Sequence, residues 1–200
     1  MKFKPGDETD RQHCIALQHE FLRCRDAFTD FCTLGCLLHQ QGGNAWLSYR
    51  TYNSYSRFIH HLYEFIIGSF ARDDGDTGQI GWDEADARIM ALAQRLLSNK
   101  RTAILTGTAP PEENDIGYYP EAVPRTFAAE FRQTRNSASA HVTFKRAGLS
   151  LSDFFERNHK LLLLLYRTAE QWWGRQGSAF PDLDSITEFS LRVQASGTPT

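Results

Sequence analysis

The chain has 200 residues, 41% hydrophobic and 23% charged, with a formal net charge of −2. That length suits one domain with a buried core, and the balance is that of an ordinary soluble globular protein. It excludes a global basic field for nucleic acid, and the longest apolar run, Leu161 to Tyr166, is far too short to span a bilayer.

The amino terminus, Met1-Lys2-Phe3-Lys4 followed by Pro5-Gly6-Asp7, lacks the apolar stretch of a signal peptide. The four cysteines, Cys14, Cys24, Cys32 and Cys36, all fall within one expected helix, as reduced and partly buried thiols would. Cys32 and Cys36 lie one turn apart without partners at matching spacing, so no metal site or cofactor is expected from them. The expected location is cytoplasmic, with no membrane association.

The first helix is predicted from about Arg11 to Gln41. Cys14, Leu17, Phe21, Cys24, Phe28, Phe31, Gly35 and Leu38 recur there at three- and four-residue steps. Gly42-Gly43 supplies the reversal, and Asn44 reads as the N-cap of a second helix over Ala45 to about Ala71. Its stripe is Tyr49, Tyr52, Ser56, Ile59, Tyr63, Ile66 and Phe70. The pair His60-His61 points two ways on such a helix. Together with His13, His19 and His39 it reads as packing or surface histidine.

Asp73 to Glu84 mimics a calcium loop, with Gly78 at the sixth position and Glu84 at the twelfth. Gly75 and Thr77 occupy the third and fifth positions, where carboxylates belong, so the stretch reads as an acidic turn. A third helix follows over roughly Asp83 to Asn99, through Ile89, Ala93 and Leu96. Thr106 to Glu121 is rich in Pro, Gly and acids and reads as a loop.

Pro124 opens a fourth helix carrying Phe127, Phe131 and the segment Arg135-Asn136-Ser137-Ala138-Ser139-Ala140-His141. A fifth runs from Asp153 to Trp173, capped by Ser150 or Ser152 and ended by Gly174. The predicted fold is an all-α up-and-down bundle of about five helices over residues 1–174. Residues 175–200 form a loose tail or docking segment. The runs Leu161–Leu165 and Trp172-Trp173 are expected in the core or at a dimer surface.

The segment from Arg135 to His141 carries the chemistry. Arginine keeps its charge at any workable pH, whereas histidine changes charge near neutrality. An arginine can neutralise a phosphate while a histidine moves a proton, the combination that phosphodiester cleavage needs. Between Arg132 and Lys160 six basic residues (Arg132, Arg135, Lys145, Arg146, Arg157, Lys160) stand against two acids, Asp153 and Glu156. Arg132, Lys145 and Arg146 are the candidate RNA contacts of this local patch. On a straight helix Arg135 and His141 lie about 9 Å apart along the axis and about 120° apart around it. One small phosphate therefore requires a bend near Ser139–Val142, or motifs from two chains lining one cleft.

Arg135-Asn136, five residues before His141, followed by a long apolar helix, resembles the signature of the HEPN superfamily (higher eukaryotes and prokaryotes nucleotide-binding). Many members are metal-independent ribonucleases of toxin–antitoxin and phage-defence systems. The resemblance implies an RNA substrate, a homodimer with the motif at its two-fold interface, and an antitoxin partner. It implies a 2′,3′-cyclic phosphate product, with Arg135, Asn136 and His141 catalytic. It also implies an acidic residue on an earlier helix, for which Glu64 is the candidate that orients Arg135 or His141. The abortive-infection type is the nearer pattern. In toxins controlled by adenylylation a Tyr follows two residues after the His, and here that position is Thr143. The alternative is a non-catalytic helical module that binds a protein or nucleotide.

Overall fold

The computed structural model describes residues 1–137, 150–173 and 184–196. They form α1 (Glu8–Gln41), α2 (Ala45–Asp73), α3 (Trp82–Leu105), a 3-10 turn (Ile116–Tyr118), α4 (Phe127–Arg135), α5 (Leu151–Trp173) and α6 (Asp184–Ser196). Among the described residues no strand forms, and an isolated bridge pairs Lys2 with Asp76. The fold is an all-α bundle, as expected.

Local chemistry sets the helix ends. Asp7 caps α1 by accepting the Asp10 N–H, three residues earlier than the apolar pattern suggested. The Asn44 side chain accepts the Leu47 N–H at 2.8 Å and opens α2. Ser150 accepts the Asp153 N–H at 3.2 Å at the start of α5. Helix α3 runs past Asn99 to Leu105 and stops at Thr106, where Gly107 takes φ +69°. The expected tail contains a helix, α6, whose Ile186, Phe189, Leu191 and Val193 are exposed.

Helices α1 and α2 form an antiparallel hairpin in which residues about equally far from the turn face one another. Asp30 meets Arg57, Glu20 meets His61, His13 meets the Gly68 carbonyl, and Asp10 meets Arg72. The approach is tight at Gly68, where an added Cβ would lie 2.7 Å from Leu17 Cδ2. Leu17, Phe21 and Cys24 are buried along the seam, with Phe28 and Phe31 packed against it. The expected α2 stripe holds from Ser56 to Phe70. Its first two members fail, since Tyr49 is 66% and Tyr52 36% exposed, and Leu47, Ser54 and Tyr55 turn inward instead.

Helices α3, α4 and α5 close the core through Ile89, Ala93, Leu97, Phe127, Phe131, Phe154 and Leu162. Leu161, Leu162, Leu164 and Leu165 are buried within this chain, so that run is core and not a surface awaiting a second copy. The side chains of Trp172 and Trp173 lie outside the described residues. Glu130 ties α4 to α5 by accepting from buried Asn158 at 2.8 Å and pairing with Arg157 at 3.3 Å. The loop after α3 is stapled back by Glu113. Burial alone would push its carboxyl up, but the Lys100 ammonium, the Tyr119 hydroxyl and the Asn114 N–H hold it down at about 2.

Candidate functional site

Helix α4 crosses α2 where Phe131 meets Tyr63 edge-on, with ring centroids 5.2 Å apart. One turn further along α4, and at the next residue of α2, the contact becomes polar. Arg135 Nη2 pairs with Glu64 Oε1 at 2.5 Å, and Nη1 donates to the Asn136 side-chain oxygen at 2.8 Å. The guanidinium carbon lies 5.8 Å from the centre of the Tyr63 ring. Arg135 Nε is enclosed without a hydrogen-bond partner. Among the described residues these contacts fix the group through two of its three nitrogens. The regular helix ends at Arg135, and Asn136 and Ser137 continue in a wider π turn. The bend expected near Ser139–Val142 falls outside the described residues.

Sequence candidates Glu64, Arg135 and Asn136 are brought together. They line a cleft of about 740 Å³ with Tyr63, Trp82 and Arg132, a size in the range of small-molecule sites. His141, Lys145 and Arg146 lie outside the described residues, as does Thr143.

Arg132 faces the same cleft and is held by a two-point ion pair. Its Nε and Nη2 each donate to Asp86 at 2.9 Å, and the group stacks 5.0 Å over the Trp82 ring. Elsewhere in the basic patch Arg157 pairs with Glu130, and Lys160 Nζ sits 4.3 Å over the Tyr118 ring. The patch is therefore much less free than its residue count suggests. Trp82, which the sequence reading passed over, is 61% exposed and forms one rim of the cleft. Its signal was position: an aromatic residue opening a helix directly after an acidic turn.

Two carboxylates of that turn are tied up within the chain. Asp76 pairs with the Met1 amine at 2.9 Å and accepts the Gly78 N–H, and Asp74 pairs with Arg88 at 2.5 Å. Glu84, at the twelfth position of the calcium pattern, lies 3.7 Å from Arg88.

The paired histidines meet the other arm of the hairpin. His61 Nδ1 lies 2.7 Å from Glu20 Oε1 on α1, and the His60 ring stands edge-on to His61 at 5.1 Å. They do point in different directions around α2, yet Glu20 lies within reach of both. Helical spacing cannot reveal this, because Glu20 belongs to the other arm of the hairpin.

In comparisons with known proteins, no family model matches the chain, and no curated protein or solved structure matches it either.

Proposed function

We propose that the protein is a metal-independent endoribonuclease of a toxin–antitoxin or phage-defence system, similar to HEPN nucleases of the abortive-infection type. The observation that carries this reading is the Arg135 guanidinium, fixed between Glu64 and Asn136 at a cleft of about 740 Å³. Such a fork suits phosphoryl oxygens, because planar paired donors match their geometry and carry permanent charge. Glu64 holds Arg135 in register as the resemblance implies an earlier-helix acid would. The exposed face of Trp82 offers a stacking surface for a base.

In the proposed reaction the ribose 2′-hydroxyl attacks the adjacent phosphorus and the bond to the 5′-oxygen breaks. The products are a 2′,3′-cyclic phosphate and a 5′-hydroxyl. Arg135 stabilises the added negative charge on the phosphoryl oxygens. His141 exchanges the proton as general acid or base, with Asn136 keeping Arg135 oriented. RNA is the substrate partner, a second copy completes the cleft, an antitoxin restrains it, and the site of action is the cytoplasm.

Full-length protein incubated with RNA in excess EDTA tests the reading. Fragments ending in 2′,3′-cyclic phosphate are expected. Loss of cleavage on chelation, with an unchanged melting curve, would contradict it.

A second reading, a non-catalytic module that binds a protein or nucleotide, draws on the pairing of Arg132 with Asp86 and Arg157 with Glu130. Those pairs remove charge that a long RNA contact would use. Nucleotide binding without RNA cleavage by purified wild type would favour it.

A further inference from the structure

Beside the Arg135 cleft, on the α1–α2 hairpin, Glu20, His60 and His61 each offer a ligand atom, and these atoms lie within 4.8 Å of one another. All three residues are half-buried. A hydrogen bond between His61 and Glu20 accounts for two of them. It does not account for His60, whose Nδ1 is enclosed without a hydrogen-bond partner.

We propose that Glu20, His60 and His61 form a binding site for a divalent transition-metal ion of the zinc class, with the remaining coordination position open to solvent. Two imidazoles and one carboxylate select zinc, cobalt or nickel over calcium or magnesium, which prefer all-oxygen shells. Tetrahedral zinc with bonds of about 2.0–2.2 Å separates its ligand atoms by roughly 3.3 Å. The Glu20–His61 contact at 2.7 Å therefore opens slightly as the metal takes its place, and the third donor moves in by side-chain rotation. A groove of about 360 Å³, lined by His13, Glu20, Arg23, His60 and Glu64 among others, gives entry and room for a water on the open position.

Arg23, 3.8 Å from Glu20, is the competing cation, and it is more than half exposed and free to swing away. The site does not depend on the RNA-cleavage reading. Glu64 borders both this groove and the Arg135 cleft.

Titration of the tag-free full chain with Zn²⁺, and separately with Co²⁺ followed by absorption spectroscopy, tests the proposal. Expected are one-to-one binding, a rise in melting temperature with zinc, and a cobalt spectrum of tetrahedral or five-coordinate nitrogen–oxygen ligation. His60→Gln and Glu20→Gln should each weaken zinc binding at least about tenfold. His39→Ala, at the exposed end of α1, should leave binding unchanged. A wild-type melting curve that zinc does not move, or affinity unchanged in both Gln variants, overturns the site. Thiolate-to-cobalt charge-transfer bands would assign the metal to the free cysteines and overturn it equally.

Discussion

The two walls of the cleft that α4 presents are built from the same residue type and are held by different partners. On one wall, Arg132 gives both ends of its fork to Asp86 and covers Trp82. On the other, three residues later, Arg135 has one ion-pair contact with Glu64, one bond to Asn136, and an Nε with no partner. The first arrangement commits Nε and Nη2 to one carboxylate and ties α3 to α4. The second commits Nη2 to α2 and Nη1 to the neighbouring Asn136. The two guanidiniums engage equal numbers of nitrogens among the described residues, and they differ in the partners that orient them.

The largest effect that sharpens the contrast lies in catalysis. His141→Ala should lower RNA cleavage by about 10²–10⁴-fold, because the motif then has no group that exchanges protons near neutrality. Cleavage within a few-fold of wild type would remove His141 from the mechanism. Arg135→Lys should rescue poorly compared with Arg135→Ala, since an ammonium keeps the charge but loses the planar fork.

Next in size is a pH effect far from the cleft, and it sets the window in which the two walls should be compared. His159 is packed against Phe155 at 4.5 Å between ring centroids, with Tyr55 Oη 3.2 Å from its Nδ1. Burial pushes its pKa down to about 4. The unfolded chain takes up this proton near 6.5 and the folded chain only near 4, so the unfolded state holds more protons in between. Stability from this residue is complete above about pH 6.5 and declines as pH falls towards 4, by at most about 3 kcal/mol. Denaturant midpoints across that range should show the slope, and His159→Phe should flatten it. A slope unchanged in His159→Phe would assign it to other groups.

On the Arg132 wall, Asp86→Ala should cost about 2 kcal/mol of stability, because it leaves a partly buried guanidinium with its fork unpaired. Urea unfolding measures this, and a loss below about 0.5 kcal/mol would place the pair among surface ion pairs of little consequence. The smallest effect is at the rim. Trp82→Ala should weaken RNA binding by about 1 kcal/mol, the low end for a stacked base, since Arg132 already covers part of the ring. Unchanged affinity would remove the stacking role.

How far these features could be read in advance follows from the range of the interactions. Asn44 and Ser150 act on N–H groups three residues away, and their caps were legible as such. The end of α3 was placed at Asn99, short of Leu105. The stronger marker was Gly107, whose positive φ suits glycine just past a helix end. Glu64 was found by combining helix order with the family resemblance, not by spacing. Asp86 was not legible as the partner of Arg132, since that pairing depends on how α3 crosses α4. Glu20 beside His61 was legible in principle: once Gly42-Gly43 is taken as the turn, antiparallel register places them opposite each other. The residues of α6 were read as tail from the Gly, Ser, Pro and Thr around them, although Glu188 and Arg192 stand at helical spacing and pair at 2.6 Å.

The central claim is that Arg135, and not Arg132, is the arginine that acts on a ligand. RNA cleavage in excess EDTA, measured for Arg135→Ala and Arg132→Ala beside their melting temperatures, tests it most directly. The account predicts that Arg135→Ala loses cleavage by about 10²-fold or more with its melting temperature nearly unchanged. Arg132→Ala should melt several degrees lower yet keep cleavage within a few-fold at a temperature where it is folded. Equal cleavage by wild type and Arg135→Ala, or loss in Arg132→Ala alone, would contradict it.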